Sequence, residues 1–183
     1  MSELIWEGEV DLNRPFFVIA LEGLFDAAGA ATHAVDRLVD SYEAKPLAHI
    51  EPEIFFNFQE ERPIVRINKG EREIVWPSNS IWAASCPHEN HDLVLLSGVE
   101  PHLRWKTFAD SLLEVARSTN AEMVITVGAM AGMAPHTRPL GVVGSAADLF
   151  WHFRKSSLWQ RYRAPRWRQR RARSGGPLLP AFR

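Results

Sequence analysis

The chain has 183 residues, 46% of them hydrophobic and 23% charged, with a formal net charge of −1. This is the balance of an ordinary soluble globular protein, and it excludes collagen-like, coiled-coil and fully disordered classes. The longest near-continuous apolar stretch, Met123 to Pro135, contains two glycines and falls short of the ~20 residues a membrane-spanning helix needs.

The single cysteine, Cys86, leaves no internal disulfide. The acidic N-terminus lacks the basic region of a signal peptide, so the expected location is the cytoplasm. The small net charge hides a division. All 22 acidic residues lie in 1–150 with 11 of the 21 Lys and Arg, a net of −11; residues 151–183 hold the other 10 basic residues, a net of +10. Two kinds of sequence are joined near residue 150.

In chain order, Pro15 to Leu21 is a continuous apolar run suited to a strand buried on both faces. Glu22-Gly23 breaks it, and Asp26 is the expected N-cap of a helix through about Tyr42, with Ala27, Ala31, Ala34, Val35, Leu38 and Tyr42 on its apolar face. The middle reads as β-rich: Ala48 to Ile50, Ile54 to Phe58, Pro63 to Ile67, Glu73 to Trp76 and Ser80 to Ala84, separated by turns such as Asn68-Lys69-Gly70 and Trp76-Pro77-Ser78-Asn79. These predict hairpins appended to a main sheet. Leu93 to Leu96 is a second buried strand. Pro101 suits the first turn of a helix whose apolar face is Trp105, Phe108, Leu112 and Val115. Met123 to Val127 is a third buried strand, and Gly141 to Gly144 a fourth. Strands alternating with helices predict an α/β domain over 1–150 with a mostly parallel sheet.

Open parallel sheets bind ligands beyond the carboxyl ends of their strands. Three such ends carry unusual residues here: Glu22, Gly23 and Asp26; Gly98 and Glu100, followed by Arg104; and Gly128, followed by His136, Thr137 and Arg138. If these strands are neighbours, Glu22, Glu100, His136 and Arg138 share one cleft. A histidine, an arginine and two carboxylates suit acid–base chemistry or a small anionic, nucleoside-like ligand. The competing reading pairs Arg138 with Glu22 or Glu100 and makes the cluster a brace for the loops. The chain has no nucleotide-binding Gly-rich motif and no Gly-x-Ser-x-Gly, and no cofactor is expected. Cys86, His88 and His91 have zinc-type side chains, but neither a fourth ligand nor a Cys-x-x-Cys pair accompanies them.

Residues 151–183 hold nine Arg, three Trp, three Pro and no acidic residue, with poor helical periodicity. The composition reads in two ways. It suits an anionic surface or nucleic acid, and it also suits an out-of-frame stretch of a GC-rich gene with no evolved partner. An exposed, mobile tail is expected, with a short helix near Leu149 to Tyr162 at most.

The body also resembles a known family. The stretches that carry the likeness are Ala20 to Gly29, Arg62-Pro63, Ile74 to Pro77, Asp92 to Pro101 with Arg104-Trp105, Gly128-Ala129, Pro135 to Leu140, and Gly144 to Asp148. Together they resemble the proteasome assembly chaperone family, in its bacterial branch, over about residues 5–148. The resemblance implies a three-layer α/β/α sandwich similar to nucleoside phosphorylases, homo-oligomerisation and a proteasome-related protein partner. It implies a binding or chaperone-like role, placed ahead of the enzyme reading above; no specific nucleic acid and, from the short apolar stretches, no membrane span are expected. It stops after Asp148, so the family's later strands and helices are expected to be missing and the domain C-terminally truncated.

Overall fold

In the computed structural model, residues 3–132, 137 and 141–145 are described. They belong to two compact units, one ending at Ala131 and one beginning at Gly132. The first contains β1 (Leu4–Trp6), β2 (Phe16–Glu22), α1 (Ala30–Ser41), β3 (Lys45–Ile50), β4 (Ile64–Asn68), β5 (Glu71–Val75), β6 (Asn79–Ala84), β7 (Leu93–Val99), α2 (Trp105–Ser118) and β8 (Met123–Val127).

Six strands form one sheet in the order β1-β3-β6-β7-β2-β8. β2 lies parallel to β7 and to β8, while β1, β3 and β6 join through antiparallel pairs, so β2, β3, β7 and β8 all point one way. The sheet is mixed, and two of the stretches read as appended hairpins, around β3 and β6, are members of it. Among the described strands, β4 and β5 stand apart as a two-stranded hairpin.

The centre of the sheet is apolar on both faces, as Phe-Phe-Val-Ile-Ala-Leu and Leu-Val-Leu-Leu dictate. Phe17, Ile19, Val94 and Leu96 face Phe108 and Val115 of α2. Val18, Ala20 and Leu95 face Ala31 and Val35 of α1. Because successive strand residues point to opposite faces, the two helices cover opposite sides and make three layers. Each fully buried large side chain contributes roughly 1.5–3 kcal/mol over its exposed state, which makes β2 and β7 the spine of the domain.

Several sequence expectations are corrected. Ile54 to Phe58 is a run of turns: Pro52 O accepts from Phe55 N and Phe56 N, and Asn57 O accepts from Glu60 N and Glu61 N. Phe55 and Phe56 still reach the core, at 0% and 3% exposure, without a ladder. α1 begins four residues after Asp26, behind a 3-10 turn at Ala27–Gly29, and Ala34 and Tyr42 of the expected apolar face are exposed. α2 begins at Trp105 rather than beside Pro101, and Trp105 itself is exposed. Among the described residues β8 ends the sheet, as β1 does at the other side, with Val124 and Val127 exposed, and apolar composition does not reveal whether a neighbour lies on each side. In the second unit, Gly141 to Gly144 forms no strand; Val142 makes one isolated bridge, and its described residues are exposed. His136, Arg138 and the whole of 151–183 lie outside the described residues. Among those described, no helix is long and apolar enough to cross a membrane.

Candidate functional site

The carboxyl ends of β7, β2 and β8 lie side by side, so the loops after them share one edge of the sheet. Glu100 N donates to Glu22 O at 2.9 Å, extending the β7–β2 ladder into the loops. Gly23, at φ 157°, lies against the Glu100 side chain. A Cβ on it would stand 2.4 Å from Glu100 Oε2, which is also 3.4 Å from Leu24 N. The Glu100 carboxylate therefore lies across the Gly23-Leu24 turn.

Asp26 is the one carboxylate of this edge that is buried, at 6% exposure. Its Oδ1 accepts from Ala31 N at 2.6 Å and from Thr32 N at 3.4 Å, and its Oδ2 accepts from Thr32 Oγ1 at 2.5 Å. Burial pushes its pKa up. The Thr32 hydroxyl, the two backbone N–H groups and the nearby His33 outweigh that and hold it below the usual carboxylate range. Asp26 thus caps α1 from beyond the 3-10 turn, as sequence reasoning expected in kind but not in register. The detour needs Ala28 and Gly29 at φ 58° and 68°. A carboxylate so fully engaged positions the loop and is not free to act as a base.

The β8 end is stitched to the same place. Ala27 N donates to Ala129 O and Ala129 N to Phe25 O, and a Cβ on Gly128 would meet Phe25 O at 3.1 Å. Gly98 pairs with Leu21 inside the ladder. Its missing Cβ leaves room for Asn79, whose Oδ1 would lie 1.9 Å from it. Asn79 is fully buried; its Oδ1 accepts from Val99 N at 2.9 Å and its Nδ2 has no partner. Sequence reasoning placed Asn79 only in a turn and missed this role. A polar residue ending a turn before an apolar strand was the one available signal.

Two clefts flank Glu100. One, of about 340 Å³, runs between Ile19, Leu21, Phe25, Val127 and Met130. The other, of about 670 Å³, is lined by Glu22, Asp26, Glu61, Glu100, His102 and Trp105, among others. Glu61 and His102 were not singled out from the sequence, and Trp105 was read as part of the apolar face of α2 and of a family motif, not as a cleft residue. His102 is held by Phe55, whose carbonyl accepts from His102 N, and its Nδ1 accepts from Asn57 N at 3.3 Å. Around these clefts Leu24, Phe25, Leu103, Trp105 and Met130 are all at least half exposed, Leu24 at 81% and Met130 at 76%. Arg104, at φ 52°, forms the N-cap position of α2 and is exposed without lining either cleft. Of the predicted cluster, the structure thus brings together Glu22, Gly23, Asp26, Gly98, Glu100 and Gly128. Thr137 is exposed in the second unit.

Cys86, His88 and His91 are not gathered. Cys86 is in the core beneath Asp92, whose Oδ1 accepts from Cys86 N; burial, then Asp92 and Glu89, push its thiol pKa up. His88 is exposed, and His91 stacks on Phe16 at 3.9 Å with its Nδ1 3.0 Å from Arg14 O. Among the described residues no three His, Cys, Asp or Glu side chains form a group that could hold a metal.

Comparison with known proteins places this edge in context. The model of the PAC2 family matches residues 20–180, running past Asp148, where the motif-by-motif resemblance stops. A PAC2 family protein from Streptomyces avermitilis is similar in structure, with 37% identity and a TM-score of 0.69, covering 74% of this chain and 58% of that one. A proteasome-assembly chaperone homologue from Mycobacterium tuberculosis has 40% identity and a TM-score of 0.64, over 68% of this chain and 53% of its own. A protein of unknown function from Corynebacterium glutamicum shares the fold at 24% identity, with a TM-score of 0.65, over 76% of this chain and 54% of that one. No curated protein matches. The chain spans between 53% and 58% of the length of these three solved relatives. It belongs to the PAC2 family.

Proposed function

We propose that this PAC2-family chain is a chaperone-like protein that docks another protein on the carboxyl edge of its sheet. The partner class we propose is a proteasome core subunit, by analogy with the mycobacterial relative, which is described as a proteasome-assembly chaperone homologue.

The observation that carries this reading is a set of half-exposed to exposed apolar side chains at the two clefts that share Glu100: Phe25 and Met130 line the apolar cleft, Trp105 lines the carboxylate-lined one, and Leu24 and Leu103 adjoin their lining residues in sequence. Exposed apolar groups clustered on one face mark interaction surfaces, and an aromatic-rich apolar rim beside charged groups suits a protein partner. Backbone hydrogen bonds tie the loops that carry Phe25 and Leu103, to Ala129 and Phe55 respectively, which lowers the ordering cost of binding. The cleft suits a basic side chain of the partner: Glu22, Glu61 and Glu100 would surround it, and Trp105 would offer its ring face.

The rival reading, an enzyme acting on a nucleoside-like or small anionic ligand, draws less support. An anion would meet four carboxylates and no Lys or Arg among the described lining residues. Nucleic-acid or membrane-surface binding through 151–183 draws none from the described residues.

The test is assembly of purified α-type proteasome subunits from the source organism, followed on native gels with and without the chain. The proposal expects the chain to change the rate or yield of ring formation. It expects Leu24→Glu with Met130→Glu to abolish that change while far-UV circular dichroism and the unfolding midpoint stay put. Unchanged assembly with the wild-type chain overturns it.

A further inference from the structure

We infer that His102 is a proton-operated latch on the carboxylate-lined cleft: its neutral ring holds the turn of residues 57–61 against the loop after β7, and its protonated ring lets that turn go. What opening does to docking rests on the reading above; the latch itself does not.

The turn is built around Asn57. Its carbonyl accepts from Glu60 N and Glu61 N at 2.9 Å each, its Oδ1 accepts from Gln59 N at 3.1 Å, and its Nδ2 donates to Glu60 Oε1 at 3.3 Å. All of these bonds stay inside the turn. Among the described residues, the polar contacts that tie the turn to the loop after β7 run through the His102 ring. Asn57 N donates to His102 Nδ1 at 3.3 Å, across 45 positions of sequence, and Glu60 Oε2 lies 3.6 Å from His102 Nε2. The ring itself is held from the core side. His102 N and Leu103 N both donate to Phe55 O at 2.9 Å, Phe55 is fully buried, and Phe56 meets the imidazole edge to face with centroids 6.0 Å apart.

A ring nitrogen that accepts a hydrogen bond carries no proton. In the neutral ring Nδ1 is therefore bare and Nε2 bears the hydrogen. Histidine is the side chain whose charge changes between pH 5 and 8, and the second proton has only Nδ1 to go to. There it faces the Asn57 N–H donor to donor. The bond is lost, and a part-buried amide is left without its acceptor. The charged groups facing the ring do not prevent this. Glu60 and Glu61 come from the turn, Glu100 from the loop after β7, and Glu22 and Asp26 from the end of β2 and the turn beyond it. All are carboxylates, and they favour the imidazolium. Among the described residues no Lys or Arg lines the cleft; Arg62, at the end of the turn, donates to Gln59 O instead. The imidazolium can thus turn its Nδ1–H toward the cleft carboxylates. That frees the turn carrying Glu61 and leaves a cation where the partner's basic side chain would sit, so docking weakens in acid.

The test is NMR on the full, nitrogen-15-labelled chain, first alone. Near pH 8 the ring nitrogens of His102 should show the Nε2–H tautomer. The protection factor of the Asn57 amide, referred to its intrinsic exchange rate at each pH, should fall about tenfold or more from pH 7.5 to pH 5, in step with the ring, while the amides of β2 and β7 keep theirs. His102→Asn keeps an acceptor where Nδ1 stands but takes no proton, so its Asn57 amide should stay protected at both pH values. His102→Phe removes the acceptor and should leave that amide unprotected at both; if it fails to fold, wild type against His102→Asn decides alone. An Nδ1–H tautomer near pH 8 overturns the inference. So does wild-type protection that ignores pH, or an equal fall in His102→Asn. With purified α-type proteasome subunits added, absence of binding at pH 7.5 counts against the proposed function and leaves the latch standing. Binding equally tight at pH 7.5 and pH 5 overturns the part of the inference that concerns docking.

Discussion

Replacing Gly98 by alanine strikes the place where the site is most tightly built. The added Cβ would lie 1.9 Å from Asn79 Oδ1, 2.8 Å from its Cγ and 3.1 Å from its Cα. No rotation of a flexible tip relieves this, because Asn79 is fully buried and its backbone is part of β6. Overpacking of this kind typically costs about 1–3 kcal/mol. Displacing the amide also threatens the Asn79 Oδ1 bond to Val99 N, and an unsatisfied buried N–H adds about 1–3 kcal/mol. A total near 3 kcal/mol is expected, which lowers the urea midpoint by roughly 1–2 M at ordinary m-values. The double variant Gly98→Ala with Asn79→Ala isolates the cause. Asn79→Ala removes a buried Nδ2 that already lacks a partner, so its own cost should be moderate, near 1–2 kcal/mol. With the amide gone the new methyl has room, and the double variant should be more stable than the sum of the two single changes predicts, by at least about 1 kcal/mol. The measurement is equilibrium urea unfolding of all four proteins. A Gly98→Ala cost below about 0.5 kcal/mol, or strict additivity in the cycle, would refute the steric account.

Two further outcomes follow from the same geometry. Asp26→Asn should destabilise the chain at pH 7 by about 1–2 kcal/mol, the usual scale for a lost helix cap. Because the folded pKa of Asp26 lies below its unfolded value, its stabilisation is fully present above about pH 4 and fades as pH falls through the folded pKa. The gap between wild type and Asp26→Asn in thermal or urea unfolding should therefore shrink in acid, and a gap constant from pH 7 to pH 3 would sink the assignment. Cys86, buried with its thiol pKa raised, should react with a thiol-specific chromogenic disulfide at pH 8 far more slowly than free glutathione, and at full rate only in urea; immediate reaction of the native chain would contradict its placement.

The sheet's spine was legible because Phe16 to Leu21 and Leu93 to Leu96 are apolar at every position, a pattern that few structures other than a doubly covered strand satisfy. Once those strands and Met123 to Val127 are taken as parallel neighbours, Gly23, Gly98 and Gly128 fall on one edge, and the structure puts them there. What was not legible depends on contacts distant in sequence. Ile54 to Phe58 has the composition of a strand, but Pro52 turns the chain, and Phe55 and Phe56 reach the core from a loop. The exposure of β8 among the described residues could not be read from its own residues, because exposure depends on what lies beside a strand. Asn79 acts on Val99, twenty residues away, and Trp105 sits at the helical spacing of a core residue while lining a cleft, half exposed. Asp26 was identified as a cap, yet the turn through Ala28 and Gly29 that moves the helix start needs a left-handed alanine, which composition does not announce.

The most direct measurement of the central claim is hydrogen exchange on the full chain, alone and with purified α-type proteasome subunits. The account predicts slowed exchange in the complex at the amides of Leu24 to Ala28 and Leu103 to Lys106, with the amides of α1 and β3 unchanged. Absence of binding, or protection confined to elements away from that edge, would contradict it.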